Sequence, residues 1–444
     1  MTMKTKRRFP TVATSDDATD QYSTLWTTSL PGDLLLLVAW HVLAGDFLDY
    51  VRFRAVCRLW RDGTMCPRGR GLVDPRFHPR RWIMFPEGHG LHPGHNKLRN
   101  HVRFLNLDTG TFVRVKLPLF RDHCILDSVD GLLLLQRDQD AVVRLLHPFT
   151  GDLADLPPLS DLHTQLRRYK YNFQTEGDRW FFLTLGMFAV VSCDANAGTI
   201  TLMILFYRVK RLAFATTQDT QWTVPSWEVP PYAAPLAFHG KIYMVQYPTY
   251  DGSLVFQIDP PPQAGSPPPP PKLVAKCPKD KLYDGHSLVE GDSEILLVGH
   301  TDNSRSHILI YKLKDIMLDR FVPVTSIGDR ALFLLDTNLS VSTKAMPMVM
   351  AETIVYKDPR MRNYAQYHLG TGTRSPAVDE CGIRGYDPGP RSLIQHIITC
   401  CIRSAWNKGV MYSFKEADRD TWLIWKVKRK FRHWVVLKLY IILR

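Results

Sequence analysis

Three histidines in one short segment have the type and spacing of metal ligands. His89, His92 and His95 recur at every third position, and neutral imidazoles spaced in this way can bind a metal ion. The segment is also rich in glycine and proline and has no cysteine nearby, which is more typical of a loop. We therefore predict no metal centre and no other cofactor.

A histidine and two cysteines form a second group of residues that could do chemistry. His396 precedes Cys400 and Cys401 in an apolar stretch, and a cysteine activated by a histidine is a common nucleophile. The apolar surroundings are more typical of a packed element. The sequence also lacks glycine-rich phosphate loops and the H-E-x-x-H and G-x-S-x-G motifs, and no spacing pairs two carboxylates. We expect a protein that is not an enzyme.

The positive charge of the chain lies at its two ends. The formal net charge is +13 and the isoelectric point is about 9.3. Residues 1–10 contain four basic side chains and residues 425–444 contain seven, in both cases without an acid, so the ends carry eleven of the thirteen charges. A nucleic-acid-binding domain usually concentrates basic residues on a folded face. Nucleic acid is therefore not predicted as the primary partner, and the ends are solvated tails or nuclear-import signals.

The N-terminal segment and the cysteines bear on the compartment. Residues 1–24 are polar, lack the apolar core of a signal peptide and are predicted to be disordered. None of the eight cysteines forms a C-x-x-C pair, so we expect reduced thiols and a location in the nucleus, the cytoplasm or both. No apolar stretch reaches the about 20 residues that span a bilayer. For the basic and then apolar tail 426–444, burial or fraying is favoured over contact with a membrane surface.

A helical pattern occupies residues 26–64. Ser29 is placed to cap a helix whose first turn holds Pro31. Gly45 and Asp46 interrupt the pattern and separate two apolar stripes. The first stripe contains Leu34, Leu35, Val38 and Val42, and the second contains Leu48, Val51, Ala55, Leu59 and Trp60. The sequence therefore predicts a small domain of amphipathic helices.

Short apolar runs alternate with turns over residues 75–425, in the manner of β-hairpins. Residues 126–156, 236–259 and 287–315 share a loose pattern of strand, turn and strand. A repeat of roughly 40–50 residues is typical of propeller blades, of which about six or seven are expected, and a pair of irregular β-sandwiches is the alternative. The run PPPQAGSPPPPP at 260–271 is interpreted as an extended loop insertion, with a ligand for an SH3 or WW domain as the second interpretation.

Residues 26–64 resemble an F-box. The matching features are a Leu-Pro pair at 30–31, Asp-Leu-Leu at 33–35 and the segment VRFRAVCRLWR at 51–61. The resemblance implies that this domain docks on a Skp-type adaptor, with its apolar stripes in a groove of the partner and Trp60 as a large anchor. The arginines of the segment would pair with acidic residues at the edge of the contact.

The resemblance implies eleven contact residues for the adaptor. They are Leu30, Pro31, Leu34, Leu35, Val38, Leu43, Val51, Val56, Cys57, Leu59 and Trp60. Amphipathic helix pairs also pack commonly on their own domain, so Val51 and Leu59 could equally be internal. Cys57 is expected to be a small buried side chain and not a nucleophile.

The remainder of the chain resembles the C-terminal region of a large plant F-box subfamily, F-box/kelch-like and abundant in grasses. The similarity is carried by PYAAPLAFHGKIY at 231–243, SIGDRALF at 326–333, LSVS at 339–342 and WNKG at 406–409. It spans roughly residues 26–425. The fold that it implies is α+β, with a short helical F-box followed by a mainly β domain, expected to be an irregular β-propeller.

The function that the resemblance implies is that of a non-catalytic adaptor in an SCF (Skp–cullin–F-box) ubiquitin ligase. The helical domain would bind the Skp adaptor and, through it, the cullin–RING ligase, while the β domain would hold a protein substrate for ubiquitination. The alternative is a propeller-type protein-binding or scaffolding module without ligase association. Neither interpretation identifies the protein that the β domain binds, because loops of one fold hold unrelated ligands.

Overall fold

The computed structural model describes the helical segment and most of the β domain. The described residues are 30–85, 101–137, 139–166, 187–194, 198–232, 235–246, 252–263, 266–344, 346, 348–357, 364–377, 393–401, 410–414 and 422–426. The tail 1–24, Ser29, the histidines at 89, 92 and 95, and the tail from residue 427 lie outside them. The chain divides into two compact units, of which the first ends at Pro67 and the second begins at Arg68.

Three helices form the described part of the first unit, which we call the helical unit. They are α1 (Gly32–Gly45), α2 (Phe47–Ala55) and α3 (Arg58–Asp62). Pro31 occupies the cap position of α1, and its carbonyl accepts from the Leu35 N–H at 3.0 Å. The second apolar stripe does not lie on one helix, because the backbone at Cys57 is extended and divides α2 from α3.

Among the described residues of the second unit, six sheets of three or more strands follow one another. Sheet 1 contains β1 (Trp82–Met84), β2 (His101–Asn106) and β3 (Phe112–Lys116); sheet 2 contains β4 (His123–Val129), β5 (Leu132–Arg137), β6 (Val142–Leu146) and β7 (Leu153–Pro158); sheet 3 contains β8 (Met187–Asp194), β9 (Thr199–Phe206) and β10 (Arg211–Thr216). Their strands pair antiparallel with their neighbours in the chain. Each sheet is therefore a meander built from local hairpins.

The next three sheets continue the pattern with one exception. Sheet 4 contains β11 (Leu236–Phe238), β12 (Lys241–Val245), β13 (Ser253–Ile258) and β14 (Lys272–Cys277); sheet 5 contains β15 (Asp284–Glu290), β16 (Ile295–His300) and β17 (Ile308–Lys312); sheet 6 contains β18 (Arg330–Leu334), β19 (Leu339–Ser342), β20 (Thr353–Lys357), β21 (Tyr364–His368) and β22 (Arg374–Pro376). In sheet 6, β18 lies between β19 and β20 and runs parallel to β20.

Strands in the middle of these sheets are buried on both faces. In β9, Leu202 and Ile204 pack toward sheet 2, whereas Met203 and Leu205 pack toward sheet 4. Successive side chains of a strand point to opposite faces of its sheet. A strand whose sheet is covered on both faces by neighbouring sheets therefore needs an unbroken apolar run. The sequence TITLMILF of β9 is such a run. Each pair of neighbouring sheets therefore encloses an apolar core between them.

The last sheet closes on the first. Phe333 of β18 and Val355 of β20 share an apolar cluster with Leu105 of β2. Phe149, in the turn between β6 and β7, lies 5.3 Å from the Trp82 ring and so joins sheet 1 to sheet 2. Within the described residues the six sheets form a closed circle, which is a six-bladed β-propeller. The predicted fold class is confirmed, and the sandwich alternative is wrong.

Short elements connect or follow the blades. Helices α4 (Leu159–Leu166), α5 (Leu313–Ile316) and α6 (Leu393–Cys401), the 3₁₀ turns Pro75–Phe77, Pro118–Arg121 and Tyr207–Val209, and the hairpin of β23 (Val410–Phe414) and β24 (Trp422–Lys426) complete the described elements. The proline-rich run connects β13 to β14, which pair antiparallel. The run is thus an insertion within one blade.

Candidate functional site

Helix α1 of the helical unit has apolar residues on more than one side. Its sequence GDLLLLVAWHVLAG contains one charged residue, Asp33. Leu35, Ala39 and Leu43 are buried within the unit. A helix that is apolar all round is normally buried all round. Here the side of α1 away from the buried stripe is exposed.

The exposed side of α1 is lined by leucine and valine. The side chains of Leu34, Leu37 and Val38 are 49%, 66% and 42% exposed. Positions i, i+3 and i+4 lie on one face of a helix, so these three side chains form one apolar strip. Leu36 adds a fourth exposed side chain outside this strip.

Further apolar side chains are exposed on and after α2. Val51 lies on α2, Val56 follows that helix, and Leu59 lies on α3, with exposed fractions between 39% and 60%. Together with the residues of α1 they make seven, which we call the exposed apolar set. Its members are Leu34, Leu36, Leu37, Val38, Val51, Val56 and Leu59. Large exposed apolar groups in a folded protein are typical of interaction surfaces.

Polar contacts of Asp46 and Tyr50 hold α2 in place within the helical unit. The Asp46 carboxylate accepts from the Asp49 N–H at 3.0 Å and caps the start of α2. The ring of Tyr50 is fully buried, and its hydroxyl donates to the Met65 carbonyl at 2.7 Å. Burial raises the pKa of that hydroxyl, against the opposing effect of Arg54. The helices are therefore fixed to the segment that follows them.

Trp60 and Cys57 have structural roles inside the unit. The Trp60 indole is half-buried and stacks on Phe53, with ring centroids 4.3 Å apart. The Cys57 sulfur is only half-buried and accepts from the Trp60 N–H at 3.4 Å, which caps α3. The expectation that Cys57 is a small buried side chain holds only in part, because the side chain is half-buried. Trp60 presents only part of its ring to a partner.

The eleven implied contact residues divide into three groups. Pro31, Leu34, Val38, Val51, Val56 and Leu59 are exposed; Leu30, Cys57 and Trp60 are half-buried; Leu35 and Leu43 are buried. Leu35 and Leu43 are part of the core of the helical unit and stabilise the packing of its helices. Val51 and Leu59, which could have been internal, are at the surface.

Two exposed leucines were not among the implied contacts. Leu36 and Leu37 belong to the run of four leucines, in which the sequence pattern selected Leu34 and Leu35. Leu37 lies three residues after Leu34 and one before Val38. That spacing places it in the strip of α1 and could have identified it from the sequence.

The charges of the helical unit are balanced. Residues 30–67 contain four aspartates and four arginines. Arg52 pairs with Asp49 at 2.7 Å, and Arg58 lies 3.4 Å from Asp62, both at the surface. Exposed pairs of this kind contribute little energy. A partner would therefore bind mainly through apolar contact.

A network of ion pairs joins three blades of the propeller. Asp108, in the turn after β2, accepts from Arg81 at 2.6 Å and from Arg330 at 3.1 Å. Arg330 begins β18 and also pairs with Asp292 at 2.7 Å, in the turn after β15. Burial opposes the ionisation of Asp108, but the two arginines outweigh it and lower the carboxyl pKa. The network ties blades 1, 5 and 6 together at the closure.

Two imidazoles lie close together in blade 5. The rings of His286 and His300 are 5.1 Å apart, and burial lowers the pKa of each to about 4. His286 contacts the Ser287 hydroxyl at 2.8 Å. Within the described ranges, no group of three or more His, Cys, Asp or Glu residues is arranged to hold a metal ion. With pKa values of about 4, both imidazoles are neutral near pH 7.

Cys400 and Cys401 are buried on α6. Burial raises the pKa of the Cys401 thiol far above its usual range, so the thiolate needed by a nucleophile is not formed there near neutral pH. Six cysteines within the described segments are free thiols, namely Cys57, Cys66, Cys193, Cys277, Cys400 and Cys401. None of the helices in the described segments is long and apolar enough to cross a membrane.

Comparison with known proteins identifies the propeller. The profile of the KIB1-4 beta-propeller family matches residues 104–376, which extend from blade 1 to the end of blade 6. No curated protein matches the sequence. A chain from the solved structure titled "Crystal structure of Nidogen/Laminin Complex" is similar at 10% identity, over 66% of this chain and 91% of that chain, with a TM-score of 0.26. On the profile match, the chain belongs to the KIB1-4 beta-propeller family, a family of protein-binding propeller modules.

Proposed function

We propose that this protein is the substrate-recognition adaptor of an SCF ubiquitin ligase and has no catalytic role of its own. The helical unit binds a Skp-type adaptor, and the propeller binds the protein that is to be ubiquitinated. The observation that carries this proposal is the exposed apolar set of the helical unit. The F-box resemblance of residues 26–64 supplies the identity of the partner.

The exposed apolar set is dense for so short a segment. Fifteen large hydrophobic side chains are exposed among the described residues, and seven of them lie between positions 34 and 59. Burying a leucine or valine side chain in an interface stabilises it by about 1.5–3 kcal/mol when burial is complete. Because 37–66% of each side chain is exposed, a comparable share of that energy is still available to a partner.

The unit is organised before it binds. The capped α2, the buried Tyr50 and the stack of Trp60 on Phe53 hold the helices without help from a partner. A preorganised surface loses little conformational entropy on association. The balanced charges of residues 30–67 favour an apolar contact that changes little with salt.

The propeller supplies the second half of the proposal. Its blades are held by buried clusters between neighbouring sheets, so its connecting loops can vary without loss of the core. Membership of the KIB1-4 beta-propeller family supports a protein ligand for this unit. A protein-binding or scaffolding module that does not join a ligase is the competing function, and it predicts no contact with a Skp adaptor.

The test is the affinity of the full chain for a purified plant Skp adaptor, measured by calorimetry. Leu37→Asp places a charge in the strip of α1 and should abolish detectable binding. Leu318→Asp is the matched control, since Leu318 is 61% exposed in the propeller and Leu37 is 66% exposed. The intact chain and the control should bind equally well. Failure of the folded, intact chain to bind would favour the scaffolding function.

A further inference from the structure

The proline-rich insertion of blade 4 contains an uninterrupted run of five prolines. Residues 267–271 precede Lys272, the first residue of β14. Proline fixes its own φ and also restricts the residue before it to extended conformations. Five in succession therefore form a polyproline II helix, which has three residues per turn and no internal hydrogen bonds.

The run is anchored to the propeller along one edge. The Trp227 indole N–H donates to the Pro268 carbonyl at 3.2 Å. Pro268 is buried, and Pro271, three residues later on the same edge of the helix, is half-buried. Trp227 itself packs against the apolar cluster between blades 3 and 4. The propeller therefore holds the run in one orientation.

The other two edges of the run face solvent. Pro267 and Pro270 form one edge and are both exposed; Pro269 and Lys272 follow the third edge and are also exposed. Burial thus repeats with the period of three that a polyproline II helix requires. A docking domain of the SH3 type contacts such a helix from one side, through aromatic side chains that receive two adjacent edges.

Lys272 gives the run a direction. Asp259 lies on the neighbouring connection, but its carboxylate is paired with Lys241 at 2.8 Å and also accepts from Gln257. Burial opposes the ionisation of Asp259, but its hydrogen bonds to Lys241 and Gln257 and the charges of Lys241 and Lys272 lower its pKa. Among the residues that the structure describes, Lys272 makes no direct ion pair of its own. An exposed cation two residues after Pro270 suits a partner with carboxylates at one end of its groove.

We propose that residues 267–272 are a preformed ligand for an SH3-type domain whose aromatic groove ends in acidic residues. The prolines at 267, 269 and 270 occupy the groove, and Lys272 pairs with the acidic end. The rigid, anchored run binds without the ordering cost that a free proline-rich peptide pays. This interaction is independent of the Skp adaptor and would bring a second protein to the propeller.

The experiment titrates the full chain against a purified SH3 domain that selects P-x-x-P-x-Lys peptides, with the tryptophan fluorescence of its groove as the signal. The double substitution Pro267→Ala, Pro270→Ala should weaken binding at least about tenfold. Lys272→Glu should weaken it by about fivefold, and more at low salt than at high salt. Both variants alter exposed side chains, so the melting temperature should not change.

Pro261→Ala, Pro262→Ala is the matched control, because it removes two prolines of the same insertion outside the five-proline run. It should bind the SH3 domain as the unaltered chain does. No saturable binding by the unaltered chain, or equal loss in the control, would overturn the proposal. Binding of a WW domain or profilin without the SH3 domain would also overturn it. Skp-adaptor affinity should be the same for all variants.

Discussion

The two units of this protein place the same residue types in opposite ways. In the helical unit, seven leucine and valine side chains are exposed over 26 positions, between Leu34 and Leu59. In the propeller, strands such as β9 and β16 bury nearly every leucine and isoleucine against one neighbour or the other. Apolar residues stabilise the fold in one unit and remain available to a partner in the other.

The difference has a geometric origin. A strand in the middle of a blade has a sheet on each face, so both sets of alternating side chains find a core. A helix in a three-helix unit has one packed side, and apolar residues on its other sides have no neighbour to cover them. A nearly uniform apolar sequence therefore predicts core in the first case and an interface in the second.

The largest effect is expected on binding. Leu34→Ala, Leu37→Ala and Val38→Ala together remove the strip of α1 and should weaken the Skp-adaptor affinity by more than about 100-fold. The free energy of unfolding should change by less than about 1 kcal/mol, because the three side chains are exposed. Calorimetric titration of the folded triple variant measures the loss. Unchanged affinity would mean that the strip is not the contact.

The matching substitutions in the propeller test whether position decides the effect. Met317→Ala, Leu318→Ala and Val322→Ala also remove three exposed apolar side chains. They should leave the Skp-adaptor affinity within about twofold of that of the unaltered chain. A comparable loss in this control would break the distinction between the two units.

Substitution of a buried leucine should have the opposite result. Leu297 of β16 is fully buried in the cluster shared by sheets 4 and 5. Leu297→Ala should lower the free energy of unfolding by about 2–5 kcal/mol, whereas Leu37→Ala should lower it by less than about 0.5 kcal/mol. Urea denaturation followed by far-ultraviolet circular dichroism measures both. Equal costs would contradict the contrast between core and surface leucines.

Part of this architecture could be predicted from the sequence. Alternating runs and turns indicated blades, and the unbroken apolar run of β9 is what a strand with two packed faces requires. The helical spacing of Leu34 and Val38 predicted their shared face. These features depend on neighbours within a few residues, and local patterns record them directly.

Other features depend on residues far apart in the chain. The closure places Leu105 and Phe333 in one buried cluster, and no local pattern contains that pairing, so the blade count stayed open between six and seven. Trp60 suggested a free anchor, but Phe53 covers part of its ring. Leu35 and Leu37 differ only in which side of α1 they occupy, and the packing of the neighbouring helices decides that.

The ion pairs where blade 6 meets blade 1 should contribute to the free energy of unfolding of the propeller. Arg330→Ala removes the contacts with Asp108 and Asp292 and leaves a half-buried carboxylate with one partner fewer. The free energy of unfolding should fall by about 2 kcal/mol. Asp292→Asn is the milder control, because Asp292 is exposed and its pair with Arg330 is weakly stabilising. If both variants lose the same free energy of unfolding, the ion pair between Asp108 and Arg330 does not stabilise the propeller.

Acid should weaken the propeller through its buried imidazoles. His147 is fully buried; its Nδ1 accepts from the Phe149 and Thr150 N–H groups, and its Nε2 donates to the Phe77 carbonyl at 3.0 Å. A proton on Nδ1 would face two donors. Burial lowers the pKa of His147 to about 4, below its unfolded value near 6.5.

The sign of the effect follows from that shift. A group whose pKa is lowered by folding stabilises the protein above its unfolded pKa and less as the pH falls toward its folded pKa. Between about pH 6.5 and pH 4, each such histidine should lower the free energy of unfolding by up to about 1.4 kcal/mol per pH unit. Urea denaturation across this range measures the slope. His147→Asn should reduce the slope, and an unchanged slope would exclude His147 as its source.

The smallest expected effect concerns the cap of α3. Cys57→Ala removes the sulfur that accepts from the Trp60 N–H and should destabilise the helix by about 0.5–1 kcal/mol. Cys57→Ser replaces it with a stronger acceptor at a similar position and should protect the same amide at least as well as the thiol does. Hydrogen exchange of the Trp60 amide in the full chain reports both changes. Faster exchange in the serine variant would mean that Cys57 stabilises α3 by packing and not as a hydrogen-bond acceptor.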